Sequence, residues 1–364
     1  MKIIEITDYL DRLFIPYYQE EWDNCGLLVG DPSQEATGVL VALDVTPSVV
    51  NEAINKGCNL IASHHPIIYK GLTRITPSTE LGRMLTQLVQ NNICVYAAHT
   101  NLDNLRNGVS GELARRLGLE RVQVLEPKNG LLKKLATYVP AANADAVREA
   151  LFKAGAGGIG IYDACSYNSE GMGTFRAGEG ARPFVGKIGE LHHEMETKIE
   201  VIYETRMERN VVAALLKSHP YEEPAYDLLP LTNAFPMVGS GAIGWLKEPL
   251  STTTFLLFVK NVLRLPMART SELCKDTVQH VAVCGGSGAF LIKAAKAQGA
   301  DIYLCGDLKY HDFQQAEGEI ILADIGHYES EQFAKEIISA AIKEKFRTFA
   351  CDISQCDKGF VSYI

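Results

Sequence analysis

The sequence predicts an α/β fold in which two similar halves form one domain, interrupted by a smaller α+β insert. Three observations lead to this prediction. Strands and helices alternate through the first part of the chain, the alternation returns after Gly241, and the stretch between them has a different rhythm. Alternation at this spacing is typical of βαβ units and a mainly parallel sheet. With 364 residues, 47% of them hydrophobic, the chain can bury more than one core.

The composition narrows the class of protein. A net charge of −9 argues against non-specific binding to nucleic acid or to an anionic membrane. No apolar run approaches the roughly 20 residues that span a bilayer, and the N-terminal segment is typical of an amphipathic helix, not of a signal peptide. The nine cysteines include no C-x-x-C pair, and we interpret most of them as small buried side chains in a reducing compartment. A cytoplasmic protein is therefore expected.

The first half begins with the N-terminal helix and continues as alternating strands and helices. Short apolar runs predict the strands, and longer amphipathic stretches predict the helices. The predicted strands cover residues 39–45, 59–63 and 93–99, and the predicted helices cover 48–57, 78–92 and 108–119.

The middle of the chain, residues 129–232, predicts a separate small domain. A strand and a helix are followed by a glycine-rich stretch, and then by a second strand and helix. This gives a β-α-β-β-α-β rhythm, which is typical of a ferredoxin-like fold. The remaining residues, 1–128 and 233–364, are assigned to the main α/β domain.

The second half resumes the α/β pattern. Its predicted elements are a helix over 252–263, a strand and glycine loop over 278–288, a helix over 289–299, strands over 301–307 and 319–327, and a helix over 329–346. Residues 39–66 and 280–311 share the order strand, loop, helix, glycine, strand and polar loop. This weak internal repeat is the reason for predicting two similar halves.

Histidines stand at the ends of three predicted strands. His64 and His65 are adjacent and precede Pro66, which cannot donate to a sheet ladder and favours a turn. A polar strand end with solvated histidines would explain this pair alone. Ligands in open α/β sheets bind at the carboxyl ends of strands, however, and if the chain turns here both imidazoles can reach one cavity.

Two further strand ends carry a histidine and an acid with i, i+4 spacing. These pairs are His99 with Asp103 and His327 with Glu331. On a helical turn this spacing places both side chains on one face. A single such pair is usually a hydrogen-bonded surface or core pair, but three similar strand ends, all expected in one sheet, indicate a shared site.

The combined set predicts a site for two metal ions. Five ligands exceed the three that a catalytic zinc usually takes from protein, and a carboxylate can bridge two ions. The nitrogen and oxygen donors suit Zn, Fe, Mn, Co or Ni. We expect His99 to be an outer partner or a proton carrier more than a ligand. The predicted metal ligands are His64, His65, Asp103, His327 and Glu331.

Other segments can contribute to the same cleft. Gly285 and Gly286 lie between a strand and a helix, where backbone N–H groups can hold an anion, although a plain tight turn explains them equally well. Lys309 and His311, with the nearby Asp307, occupy the loop that corresponds to His64 and His65 in the repeat. The segment WDN at residues 22–24 forms either a turn or part of the cleft wall.

The pieces WDNCGLLVG, SHHP, HTNLD, GDLKYH and GHYESE, in this order, resemble the NIF-three-like family, whose members are often called GTP cyclohydrolase 1 type 2 homologues. The resemblance covers essentially the whole chain. The insert, through GEGARPFVGKIGE and HPYEEPAYDL, is similar to the PII/CutA-like domain of the longer bacterial members. The family implies a dinuclear metal centre on the five residues named above, and a toroidal homohexamer.

The resemblance also implies an activity. It is the metal-dependent hydrolysis of GTP at C8 of the guanine ring, which releases formate and leads to a dihydroneopterin triphosphate. Lys309, Gly285 and Gly286 would then hold the triphosphate, and His99 or His311 would move protons. Two other hypotheses stay open: a non-enzymatic ring that handles metal or acts as a regulatory scaffold, and a phosphoesterase or amidohydrolase of another small molecule.

Overall fold

The computed structural model describes residues 1–362 and divides into two compact units. The first unit combines Met1–Pro127 with the chain from Pro236 onward, and the second is Lys128–Phe235. No helix within the described residues is long and apolar enough to cross a membrane.

The first half of the larger unit contains five helices and five strands. In chain order they are α1 (Ile3–Leu13), β1 (Gly26–Val29), β2 (Val39–Ala42), α2 (Pro47–Lys56), β3 (Leu60–Ser63), α3 (Glu80–Gln90), β4 (Cys94–Ala97), α4 (Thr100–Asp103), α5 (Val109–Arg116) and β5 (Glu120–Lys128).

The insert follows with four strands and two helices. They are β6 (Leu132–Pro140), α6 (Ala144–Lys153), β7 (Tyr167–Arg176), β8 (Leu191–Glu204), α7 (Glu208–Ser218) and β9 (Tyr226–Pro230). The sheet order is β7-β8-β6-β9, and every neighbouring pair is antiparallel. This β-α-β-β-α-β chain with its first and third strands adjacent is the ferredoxin-like arrangement.

The second half of the larger unit completes the chain. Its elements are β10 (Phe235–Ser251), α8 (Thr252–Leu263), β11 (Arg269–Thr270), β12 (Thr277–Ser287), α9 (Ile292–Ala297), β13 (Ile302–Gly306), β14 (Ile321–Asp324), α10 (His327–Glu331), α11 (Ala334–Lys345) and β15 (Cys351–Ile353).

The larger unit contains two sheets with related order, and each includes one strand from the other half, β15 in the first and β5 in the second. The first sheet is β1-β4-β3-β2-β15, and the second is β11-β14-β13-β12-β10-β5. In each sheet three consecutive strands run parallel, β2-β3-β4 and β12-β13-β14, and a short antiparallel strand flanks the last of them. The mixed α/β class is confirmed, but the expectation of one sheet for all three histidine-bearing strand ends is wrong. β3 and β4 lie in the first sheet, and β14 lies in the second.

Local sequence explains why α2 and the strands β2, β3 and β4 form where they do. In α2 the hydroxyl of Thr46 accepts from the N–H of Val49, Pro47 occupies the first turn, and Gly57 ends the helix with φ +68°. These features are an N-cap at the start of the helix and a glycine in the left-handed conformation at its end. The strands β2, β3 and β4 are buried along their whole length, as expected for parallel strands covered on both faces.

The predicted helix over 329–346 is divided in the structure. A short helix, α10, ends at Glu331, and α11 starts at Ala334. The break separates a polar turn, which carries the histidine and the acid, from an amphipathic helix that buries Ile338 and Ile342 in the core. Periodicity alone gave no sign of this break.

Candidate metal centre

His64 and His65 follow β3 directly and enter one cluster. His64 is completely buried, and its Nδ1–H donates to the carbonyl oxygen of Ala98 at 2.7 Å. His65 donates through Nδ1 to a carboxylate oxygen of Asp44 at 2.8 Å. Because carbonyl and carboxylate oxygens only accept, both rings carry a proton on Nδ1 and direct Nε2 toward the cluster.

The second sheet supplies His327 and Glu331 at the two ends of α10. Nδ1–H of His327 donates to the carboxylate of Asp307 at 2.7 Å, so that Nε2 again faces inward. Glu331 Oε2 lies 3.0 Å from Nε2 of His327 and 3.0 Å from Nε2 of His65. The i, i+4 spacing thus places both residues on one face of the helix, as the sequence predicted.

The carboxylate of Glu331 is shared by two groups of potential ligands. One group is His65, His327 and Glu331, and the other is His64, Asp103 and Glu331. Within each group the ligand atoms lie within 4.8 Å of one another. A third group joins His64 and His65 to His99. In the two groups that contain Glu331, the adjacent histidines are divided, one to each group.

Two buried atoms in the cluster have no hydrogen-bond partner. They are Nε2 of His64 and Oδ1 of Asp103, which are 3.6 Å apart. Buried polar atoms are normally paired, because desolvation without a partner is costly. Ligand bonds of about 2.0–2.2 Å place two ligand atoms roughly 3–3.6 Å apart. A cation between them would satisfy both atoms, and the residues present fit metal ions.

The histidines of the cluster differ strongly in pKa. Burial lowers the pKa of His64 to about 3. Burial also opposes charge on His65 and His327, but hydrogen bonds to carboxylates outweigh it and raise their pKa values to about 10 and about 9. Burial and the charge of Glu331 raise the pKa of Asp103. Burial also opposes charge on Glu331, but its histidine partners hold its pKa well below the usual range.

His99 lies beside the cluster and is oriented by Asp23. Nδ1–H of His99 donates to Oδ1 of Asp23 at 2.8 Å, and the backbone N–H and hydroxyl of Thr100 donate to Oδ2. Burial favours a neutral Asp23, but these hydrogen bonds hold its pKa well below the usual range. A ring nitrogen of His99 falls within 4.8 Å of ligand nitrogens of His64 and His65.

Two exposed aromatic rings flank His99. Trp22 is 64% exposed with its ring 6.0 Å from that of His99, and Tyr69 is 49% exposed with its ring 5.9 Å away. The side-chain amide of Asn24 donates to the carbonyl oxygen of Ile68 at 2.7 Å. The segment 22–24 therefore borders the cluster: Trp22 presents an aromatic ring, Asp23 orients His99 and Asn24 fixes the loop that carries Tyr69.

The lack of a side chain at Gly286 leaves space for the carboxylate of Glu331. A Cβ on Gly286 would lie 2.0 Å from Glu331 Oε1, and its φ of +63° also favours glycine. The N–H groups of Gly285 and Gly286 donate to the hydroxyls of Ser110 and Ser330. Both donors are therefore used within the protein, which argues against the anion-binding role predicted for them.

The remaining predicted residues lie in the loop after β13. Lys309 is exposed and its backbone N–H donates to Asp312, while His311 is exposed and packs edge-on against Tyr310. No contact of either residue with the cluster is found within residues 1–362. Asp307, in the same loop, does reach the cluster through His327.

Sequence reasoning missed Asp44, the acid that orients His65. Asp44 follows β2 closely, and the sequence pattern assigned it to the strand itself. Its position near a strand end was the available signal. Tyr69 lies in an irregular loop without a motif, and the carbonyl of Ala98 has no sequence signal.

The fold and the cluster define the class of protein. It is an α/β protein whose strand ends bring together imidazoles and carboxylates able to hold metal ions. The sequence profile of the family Duf34/NIF3 (NGG1p interacting factor 3) matches residues 1–358, and the chain belongs to this family.

Individual relatives agree with this assignment. The chain is 42% identical over 334 residues to the "GTP cyclohydrolase 1 type 2 homolog" of Halalkalibacterium halodurans, covering 91% of this chain and 88% of the relative. It is 41% identical over 350 residues to the protein of the same name from Bacillus subtilis, covering 96% and 92%. The crystal structure of a Bacillus cereus protein related to NIF3 superposes with a TM-score of 0.84 at 36% identity, covering 100% and 99%.

Proposed function

We propose that the protein is a dinuclear-metal-dependent hydrolase of the GTP cyclohydrolase 1 type 2 kind. The observation that carries the proposal is the position of Glu331, whose carboxylate belongs to two of the three ligand groups. A shared carboxylate is the usual bridge between two catalytic ions. The names of the relatives with 42% and 41% identity point to the same class of reaction.

The chain's own residues would hold the ions, and they fix the imidazoles. His65, His327 and Glu331 would hold one ion, and His64, Asp103 and Glu331 the other. When bound, such a pair supplies Lewis-acid activation of water and of the substrate. The oxygen that receives each Nδ1–H fixes the tautomer and the orientation of the ring.

His99 is proposed to move the proton. Its hydrogen bond to Asp23 fixes the proton on Nδ1, which leaves Nε2 free to accept a second one. The buried Asp23 stabilises the imidazolium that results. His311, which is exposed and outside the cluster, is the less favoured proton carrier.

The exposed rings of Trp22 and Tyr69 favour a substrate with a planar heterocycle. A purine could stack on such a ring, a contact worth about 1–3 kcal/mol per base. For GTP, the reaction would be hydrolysis at C8 of the guanine ring with release of formate and formation of a dihydroneopterin triphosphate. Lys309 is the exposed cation proposed to meet the triphosphate.

The finer properties implied by the resemblance are also proposals. We propose a toroidal homohexamer that works in the cytoplasm, and an insert of the PII/CutA kind. The nine cysteines are all free, which suits a reducing compartment. The ferredoxin-like order of the insert supports its assignment. Sedimentation of the purified protein tests the hexamer.

The deciding experiment pairs metal analysis with turnover. The wild type and a His64→Ala, Glu331→Ala double variant are incubated with GTP, with other nucleotides and with phosphoesters, while formate, pterin fluorescence and phosphate are measured. A double variant with the exposed residues His193→Ala and Glu190→Ala controls for the same substitutions outside the cluster.

We expect two ions per chain and formate from GTP in the wild type and the control, with both lost in the cluster variant. Phosphate without formate would replace the proposal by a phosphoesterase. Two ions with no turnover of any compound would favour metal handling or a scaffold. Absence of metal after reconstitution would refute the metal centre itself.

A further inference from the structure

The insert contains a cavity that the metal centre does not use. Its volume is about 570 Å³, and every residue that lines it lies between positions 138 and 225. Pockets of roughly 300–1,000 Å³ are of the size that binds small molecules. The cavity lies against β7 and β8 and is bordered by the loop between them and by the segment after α7.

Aromatic rings dominate its apolar wall. The ring of Tyr221 lies 5.9 Å from that of Phe175 and 6.4 Å from that of Phe184, and both pairs are tilted by more than 50°. Phe184 is 54% exposed and Met172 is 60% exposed. Large apolar side chains open to solvent around a concavity are unusual on a soluble domain unless something binds there.

The polar wall is acidic. Four of the lining residues are glutamates, and the single cationic residue is Lys198, whose ammonium lies 3.3 Å from Glu200, outside the lining. The lining glutamates are Glu170, Glu196, Glu222 and Glu223.

Glu196 is the best-positioned of these acids. Its Oε1 accepts from the hydroxyl of Tyr221 at 2.8 Å, and its Oε2 lies over Gly173, where a Cβ would be 2.1 Å away. No cationic side chain pairs with Glu196 within residues 1–362. The carboxylate is thus fixed beside the aromatic rings without a counter-ion.

We infer that this cavity binds a small organic cation, with an ammonium group beside Glu196 and against the faces of Phe175, Phe184 and Tyr221. Aromatic faces attract cations, and aromatic cages are a known means of binding quaternary ammonium groups. The excess of glutamates repels phosphates and carboxylates from the same space. This inference is independent of the proposed hydrolase activity.

The test compares choline with its uncharged isostere 3,3-dimethylbutan-1-ol. Calorimetric titration of the full-length protein with each compound measures the contribution of the charge, because the two differ little in shape. We expect saturable binding of choline that weakens with added salt, and no saturable binding of the alcohol. Equal binding of both compounds, or no binding of choline, would overturn the inference.

Three variants connect binding to the cavity. Glu196→Gln keeps the side-chain shape and should weaken choline binding by about tenfold, and Phe184→Leu should weaken it by several-fold. Glu179→Gln, an exposed acid of the same insert outside the lining, is the matched control and should have no effect. Thermal melts verify that each variant is folded.

Unchanged choline affinity in both cavity variants would refute the assignment. A second copy of the chain is the alternative occupant, so the mass of each variant is measured by sedimentation. A change of mass in Phe184→Leu, together with absence of choline binding in the wild type, would identify the cavity as an oligomer contact and overturn the inference.

Discussion

Replacing Glu331 by glutamine tests the shared carboxylate directly. The amide has nearly the same shape, but only its oxygen can bind a metal, and it carries no charge. Each ligand group would keep two residues from the protein, His65 with His327 and His64 with Asp103. Two are fewer than the three that catalytic zinc sites normally take from protein.

The size of the effect follows from the position of the carboxylate. Removal of an outer partner of a metal ligand typically costs about 10–100-fold in affinity, and loss of a direct ligand should cost at least as much. Because Glu331 belongs to both groups, we expect both ions to bind at least about 100-fold more weakly. If the carboxylate bound one ion only, its removal would weaken the binding of that ion alone.

Competition with a chromophoric chelator, followed by elemental analysis of dialysed protein, measures both affinities. Glu329→Gln is the matched control on the same short helix, since Glu329 belongs to neither ligand group. Retention of two ions at unchanged affinity in Glu331→Gln would refute the bridging role. Loss of only one ion would restrict Glu331 to one of the two groups.

Four further outcomes are expected. The pKa values of His65 and His327 are raised to about 10 and about 9, so metal loading at pH 7 should release about two protons per chain from these two rings, seen as buffer-dependent heat in calorimetry. The same pKa shifts stabilise the metal-free protein fully below pH 6.5. This stabilisation is lost as the pH rises through 9 to 10. Asp23→Asn should lower turnover by about 10²–10⁴-fold through His99 with metal content unchanged, and equal turnover would contradict this. Hydrogen bonds from Ser354, from Lys56 and from the backbone of the C-terminal segment outweigh burial and lower the pKa of Glu52 to about 2. Glu52 therefore stabilises the fold above about pH 4.5 and loses this effect as the pH falls toward 2. Glu52→Gln should flatten the acid limb of the stability measured by urea denaturation and, because solvent screens this group, cost about 1 kcal/mol or less at pH 7.

The parts of the site that follow short-range rules were predictable. Apolar runs located the strands, and i, i+4 spacing identified His327 with Glu331 as one face of a helical turn. The structure places the five predicted ligands in one cluster. The sequence also predicted that the adjacent histidines could both reach one site, because the chain turns where the strand ends.

Long-range geometry was not predictable in the same way. Strands of two different sheets supply the cluster, and sheet membership depends on contacts between residues far apart in sequence. Asp44 and Asp307 look like ordinary strand-end acids until the fold places each against an imidazole. For Gly285 and Gly286 the sequence left an anion site and a plain turn equally open, because it does not show that Ser110 and Ser330 already accept their N–H groups.

The position of the insert has a consequence for engineering. The chain leaves the larger unit at the end of β5 and returns at the start of β10, and these two strands are hydrogen-bonded neighbours in one sheet. In topological terms the whole insert is an extended loop between two adjacent strands. A tight turn could take its place without any change in strand order, and the shortened polypeptide would isolate the histidine cluster for spectroscopy and leave the acidic aromatic cavity out of the measurement.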